Sequence, residues 1–427
     1  MSKFQIITLG IFILAIIGGV VAFATFKGST SSSALPSITI WGTFSSDTFN
    51  QYVAKINNTL AQPLTIKYVQ ESPDKFSQDF VAALARGTGP DAILITADMI
   101  LPHQDKLISI PYSALSQRTF YDSYIQEANI YLSSNGTLAI PFTVDPLVMY
   151  WNRDVFNAAG QTTYPKNWGD FTALGNILTV KDQNGTISKS AVAMGTFNNI
   201  VNARELFGTL LLQSGNPITA ISGGLPASTL VAAQASSEST LQFFGQFADP
   251  SNVNYSWNRA MPDDKIAFLS GTLATYFGFA SEIKDIRAKN PNLNFDVAPL
   301  PQYKTGGRAT SYARMHGLSI VRTSSNANAV YQIISILTSP TNLPILSTAM
   351  YLPSVLSSLD QGSTDPYITN FNRAALTAST WIDADPLKSK QVMSDMVSSF
   401  TSGQKTAFQA VQDAGSKYDV ILKQAVQ

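Results

Sequence analysis

The chain has no cysteine, which excludes disulfide frameworks, cysteine-ligated zinc, iron–sulfur clusters, cysteine nucleophiles and a lipid-modified N-terminal cysteine. Only two histidines occur, His103 and His316, too few for a multi-histidine metal centre. Charge is scarce as well: 13% of residues are charged, against roughly 25% in an ordinary soluble protein. Basic and acidic residues balance at 28 each, so no excess is available to neutralise phosphates and nucleic-acid binding is not expected. No Gly-x-Ser-x-Gly elbow is present, and Gly87-Thr88-Gly89 lacks both the third glycine of a dinucleotide fingerprint and the Lys-Ser/Thr of a phosphate loop. Asp182-Gln183-Asn184-Gly185 opens like a calcium loop, but position twelve is Ala193 where a glutamate is needed, so it reads as a surface turn. What remains is a chain that is 45% hydrophobic and 11% aromatic, long enough at 427 residues for two or three compact units. Its chemistry has to come from neutral polar groups, carboxylates and aromatic faces. No catalytic residue, metal or cofactor is expected.

Phe4 to Phe26 is an uncharged, mostly apolar run of 23 residues flanked by Lys3 and Lys27. That length spans a hydrocarbon core of about 30 Å. Ala22-Phe23-Ala24 offers a signal-peptidase site, but the run is long for a signal peptide, and an uncleaved transmembrane helix is the favoured reading. Residues 1–27 are thus expected to be a membrane anchor or signal segment, and residues 28–36, rich in serine and threonine, a flexible linker. Either way the remainder is exported; with the anchor retained, the expectation is a single-pass membrane protein with an extracellular or periplasmic domain.

Beyond the linker, Ile38-Thr39-Ile40-Trp41, Leu64 to Val69 and Asp91 to Ile95 read as strands, separated by helices at Asp47–Asn58 and from Ser72-Pro73-Asp74 onward. In the latter, Ser72 is the expected N-cap, and Phe76, Phe80, Ala83 and Leu84 form one apolar face. Alternation of strand and helix at this spacing predicts a parallel sheet with right-handed crossovers. Further helices are expected at Phe171–Val180, Asn199–Gln213, Ser228–Phe247, Ala327–Leu337 and Ser389–Phe400, and strands at Leu273–Phe277, Phe295–Ala298 and Leu318–Val321. Ligands of open α/β sheets bind beyond the C-terminal ends of strands, which points to Trp41–Ser46, Thr96–Met99 and Phe277–Ala280. Among the tryptophans, Trp41 and Trp257 stand beside turn-like polar residues, where a ring can face the C–H side of a sugar while carboxylates and amides take the hydroxyls.

Several segments, in order, resemble the extracellular solute-binding proteins of ATP-binding-cassette importers, in particular the maltose- and sugar-binding group. They are Ile38–Trp41, the stretch from Phe76 to Asp98 ending ALARGTGPDAILITAD, IPFTVDPLVMYWNRDVFNAAG from Ile140 to Gly160, Pro165 to Phe171, and Ala267 to Ala274. The resemblance implies a two-lobed α/β fold of the periplasmic-binding-protein type (type II), hinged between lobes. By analogy one lobe would hold residues 36–143 and 266–313, the other 147–262 and 317–427. A small uncharged ligand, a sugar or oligosaccharide, would be captured in the cleft and delivered to the permease subunits of the importer. The chain itself would not be an enzyme. Position by position, the resemblance places Trp41, Ser45, Ser46, Asp98, Asp145, Asn198, Asn199, Tyr276, Phe279, Met315, His316 and Trp381 at the ligand, and assigns Trp168 to the core. No cluster of arginine or lysine stands out for the cleft, which argues against anionic ligands. Two other readings remain open: an anchored glycan hydrolase using Asp98 and Asp145, and a binding-protein fold serving as a sensor or adhesin.

Overall fold

The computed structural model describes residues 35–303, 309–358 and 364–426. Among these, no helix is long and apolar enough to cross a membrane. The apolar run Phe4–Phe26 lies outside them.

The first strands form where the sequence alternates. β1 (Ile38–Gly42) buries Ile38 and Ile40 and pairs in parallel with β2 (Ile66–Gln70) and β3 (Ala92–Ile95). All four residues of β3 are buried, as its continuous apolar run requires of a strand covered on both faces. α1 (Ser46–Asn57) and α2 (Phe76–Ala85) make the crossovers; α2 turns Phe76, Phe80 and Ala83 inward. Ser72 does not cap α2. A separate turn intervenes, in which the Ser72 carbonyl accepts the N–H groups of Lys75 and Phe76, and the helix begins only at Phe76.

Two long strands carry the chain between two hydrophobic cores. β4 (Ile140–Asn152) is buried along its whole length. Its first half pairs antiparallel with β5 (Ser311–Val321), Ile140 opposite Leu318 and Pro146 opposite Ala313. Its second half pairs with β6, placed here as the strand Leu273–Phe279, with Leu147 opposite Phe279 and Trp151 opposite Thr275. β5 also runs antiparallel to β3, Gly317 opposite Ile95, and receives the short strand Ala378–Ser379 on Ser311 and Tyr312. The result, among the described residues, is one continuous eleven-stranded sheet. β5 begins seven residues before the expected strand at Leu318, since Ser311–Gly317 pair across β4 rather than within one lobe. Its register shifts between His316 and Gly317, where a β-carbon on Gly317 would lie 2.8 Å from both Ala139 and the Tyr131 ring. That close approach lets the Tyr131 hydroxyl donate to the carbonyls of Ile95 and Met315, each at 3.0 Å, tying β3 to β5.

The cores do not divide the chain as the resemblance implied. One contains residues from Ile38 to Val144 and from Ala313 to Leu346, together with Val355, Leu356, Ala375 and Ala378. The other contains Leu147 to Leu300 and most of the C-terminal helices through Leu422. Residues 266–300, expected in the first lobe, pack with the second, because β6 pairs with the far half of β4 and in parallel with the strand Ile187–Val192. Residues 317–346, expected in the second lobe, pack with the first, because Gly317–Ile320 pair with β3 and the helix Ala327–Leu337 buries Val330, Ile333 and Ile334 there.

Candidate functional site

A cavity of about 290 Å³ opens where the two cores face each other across β5. From the first core come Thr43, just after β1, and Thr96 and Asp98, just after β3; from the second come Arg204, Glu205 and Asp383. Tyr312, Arg314, Met315 and His316 of β5 and Trp381, two residues beyond the short strand Ala378–Ser379, form the wall between. The strand-end positions fit the rule that α/β sheets bind ligands beyond the C-terminal ends of their parallel strands.

The second core presents Arg204 from the first turn of the helix Ala203–Gln213. Its guanidinium donates to Ser389 Oγ at 3.0 Å, to Glu205 Oε1 at 2.9 Å and to Asp383. Ser389 in turn donates to Asp383 at 2.6 Å. A buried guanidinium with three partners is a fixed element, its donors aimed by others. The Trp381 ring lies 4.7 Å from Arg204 Cζ and 5.1 Å from the Tyr312 ring, and its indole N–H donates to the Tyr418 hydroxyl at 3.0 Å. Gly208 makes this possible: a β-carbon there would stand 2.5 Å from the indole.

Arg314 differs. Its side chain is exposed to the cleft, and its Cζ sits 4.3 Å over the Phe279 ring. Among the described residues no carboxylate lies within ion-pair distance of it. Asp98 accepts the Thr96 hydroxyl at 2.6 Å; burial raises its carboxyl above the usual range despite that bond. His316, stacked edge-on to Phe44 at 4.7 Å and bonded through Nδ1 to the Thr143 hydroxyl at 3.2 Å, is pushed down to about 3 by burial and then by the charge of Arg314. It is therefore a neutral ring at ordinary pH, able to give or take a hydrogen bond but not to carry charge. The cavity thus offers aromatic and imidazole faces, a guanidinium with no ion-pair partner among the described residues, and carboxyl oxygens.

Of the residues proposed from sequence, the structure brings together Asp98, Met315, His316 and Trp381. Phe279 adjoins them through Arg314. Asp145 lies nearby but is 6% exposed and accepts the Ser281 N–H at 3.0 Å; burial pushes it up to about 6, offset in part by Ser281 and Arg314. Trp41 is half-buried against the first core, and Ser45 and Ser46 sit at the start of α1, where the Ser46 N–H donates to Gln70. None of the three lines the cavity. Asn198 lines a separate polar recess with Arg259 and Ser394. Trp257 and Tyr276 are fully buried: the indole N–H of Trp257 is held by Asn199, and the Tyr276 hydroxyl donates to Glu282 at 2.7 Å. Asn199 spends its amide on the carbonyls of Asn258 and Met261. These three residues are structural, because every polar group they carry is already satisfied inside the core. Trp168, buried with its N–H on Gln213, is core as expected.

No cluster of arginine or lysine stood out in the sequence for the cleft; in the structure Arg204 and Arg314 both line the cavity. Arg314 had a signal, standing one residue before Met315. Arg204 had none in its neighbourhood, because its partners Asp383 and Ser389 are 179 and 185 residues away.

Beside Asn199, Asp264 accepts the N–H groups of Val201 and Lys265 yet is pushed up to about 7 by burial. The folded state therefore holds this proton more tightly than the unfolded chain, whose carboxyl titrates near 3.8. Stability from this group is present below the unfolded value and is lost as pH rises through 7. Asp264→Asn is expected to stabilise the protein at pH 8 by on the order of 2 kcal/mol and to change it little at pH 4. Denaturation at the two pH values checks this, and an equal effect at both would contradict it.

A model of the bacterial extracellular solute-binding proteins matches residues 51–375. The chain belongs to that family. A binding protein of Brucella abortus strain 2308 is 21% identical over 373 residues, 84% of this chain and 86% of that one. Among solved structures, the sugar-binding protein MalE of Xanthomonas citri has a TM-score of 0.76 and 17% identity, covering 91% of this chain and 98% of that one. The cyclic α-maltosyl-1,6-maltose-binding protein of Arthrobacter globiformis has a TM-score of 0.74 and 15% identity, covering 91% and 99%. At such identities the likeness shows the two-domain α/β fold of periplasmic binding proteins. The family is one of binding proteins, in keeping with the expectation that the chain is not an enzyme.

Proposed function

We propose that this member of the family is tethered outside the cell by Phe4–Phe26, holds an oligosaccharide in the cavity between its two cores, and presents it to the permease of an ATP-binding-cassette importer. The observation that carries this reading is the composition of the cavity wall. Trp381, Tyr312 and His316 offer ring faces, while Asp98, Arg314 and the Thr96 region offer hydrogen-bonding groups of both kinds, the pairing that a polyhydroxylated ring with one apolar side requires. The sugar-binding names of the structural relatives support it. Both cores contribute to one cavity whose floor is the connecting strands, so contacts made across it favour the closed arrangement over the open one. Asp98, Met315, His316 and Trp381 remain the proposed ligand residues from the sequence, joined by Arg204 and Arg314.

A thermal-shift screen of malto- and manno-oligosaccharides tests the proposal. At a concentration of about 100 Kd, a ligand of the native state adds about 2.7 kcal/mol, enough to raise Tm by several degrees. At least one linear oligosaccharide is expected to do so. A folded sample that responds to none contradicts the reading.

A further inference from the structure

Of the two histidines, His316 lines the oligosaccharide cavity, while His103 stands behind its wall, bonded to a residue that lines it. His103 ends the helix Ala97–His103 and is 2% exposed, its ring edge-on to Phe80 at 5.3 Å. Burial, and then the charge of Lys106, pushes it down to about 4. At ordinary pH the ring is therefore neutral, and one of its two nitrogens carries the proton. Nε2 lies 2.9 Å from Ser77 Oγ. Nδ1 has no hydrogen-bond partner among the described residues, and the neighbouring Pro102 carbonyl accepts Lys106 Nζ at 3.1 Å. A proton on Nδ1 would be a buried donor without an acceptor, a rarer vacancy in folded proteins than an unmet lone pair. A proton on Nε2 has the serine oxygen to meet it. The arrangement selects the second tautomer, in which the imidazole donates and Ser77 accepts.

A serine that accepts through its oxygen still has its own O–H to give. Ser77 is exposed, stands in the first turn of α2, and lines the cavity with Thr43, Thr96 and Asp98 of the same core. We propose that Ser77 is a further ligand-binding residue, donating its hydroxyl to an acceptor oxygen of the sugar, and that His103 is a positioning residue that holds the serine oxygen through its Nε2–H. The proposal rests on the oligosaccharide reading of the cavity. It gives the first core a donor of fixed direction beside the acceptor Asp98, and a sugar's ring and glycosidic oxygens, which carry no proton, can be held only by donors.

The test uses the full-length chain in a polyoxyethylene detergent, which has no sugar headgroup, titrated calorimetrically with each malto- and manno-oligosaccharide of the thermal-shift screen. Ser77→Ala is expected to weaken binding about fivefold, the loss of one neutral hydrogen bond, with the unfolding midpoint unchanged. His103→Gln keeps a side-chain N–H and is expected to bind within about twofold of the parent. His103→Phe packs beside Phe80 but donates nothing; it is expected to match Ser77→Ala, and the two together to be no weaker than either alone. In histidine-labelled protein, proton–nitrogen correlation is expected to show His103 protonated at Nε2, its signal assigned by its loss in His103→Gln. If the parent binds none of the oligosaccharides, the reading of the cavity falls and this assignment with it. If the parent binds but Ser77→Ala binds equally well, if the two losses add, or if the His103 proton sits on Nδ1, the assignment is overturned while the reading of the cavity stands.

Discussion

Asp383→Ala is expected to lower the unfolding free energy by about 3–5 kcal/mol, the cost of leaving a buried charge without its partner. Asp383 is 1% exposed and Arg204 5%. Removing the carboxylate strips Arg204 of one anion and Ser389 of the acceptor that orients it, while Glu205 alone remains at 2.9 Å. Replacing both ends tests the cause. Arg204→Leu combined with Asp383→Leu removes the charge along with its partner, and is expected to recover most of the loss. Urea denaturation followed by tryptophan fluorescence measures both. A loss below about 1 kcal/mol for Asp383→Ala is what an exposed ion pair would give, and would mean that the cluster is solvated.

Trp381→Ala is expected to have a comparable effect on stability, about 3–5 kcal/mol, and a second effect on binding. The indole is 3% exposed and fills the space between Gly208, Arg204 and Tyr312. Its loss leaves a void that the rigid helix beneath cannot close and removes a ring face from the oligosaccharide site. Affinity for an oligosaccharide is expected to fall at least about tenfold. Trp381→Phe keeps the packing and gives up the N–H bond to Tyr418, so it is expected to cost only about 1 kcal/mol. If Trp381→Ala binds oligosaccharide as tightly as the parent, the ring is not part of the site.

The local elements were legible because their signals are local. The apolar run of β3 and the face of Phe76, Phe80 and Ala83 need only neighbouring residues to be read, and Phe295–Ala298 and Ala327–Leu337 fall where the sequence puts them. What a sequence does not display is the partner of each strand. β6 and the second half of β4 are more than a hundred residues apart, and their pairing decides that residues 266–300 belong to the second core. The site divides in the same way. Asp98 and Met315–His316 follow or interrupt recognisable strands, so position alone exposes them. Trp257 and Tyr276 look equally suitable by type, and only the long-range bonds to Asn199 and Glu282 reveal them as core. The Arg204–Asp383–Ser389 cluster exists only once the C-terminal segment folds back across the helix that carries Arg204.

The central claim is that an uncharged oligosaccharide is held between the two cores by the groups facing β5. Calorimetric titration of the parent and of Arg314→Ala with the same linear oligosaccharide tests it most directly. Arg314 is exposed to the cleft and has no ion-pair partner among the described residues, so the substitution should leave the fold intact. The account predicts saturable one-to-one binding by the parent and at least about tenfold weaker binding by the variant. Equal affinities in the two proteins would contradict it.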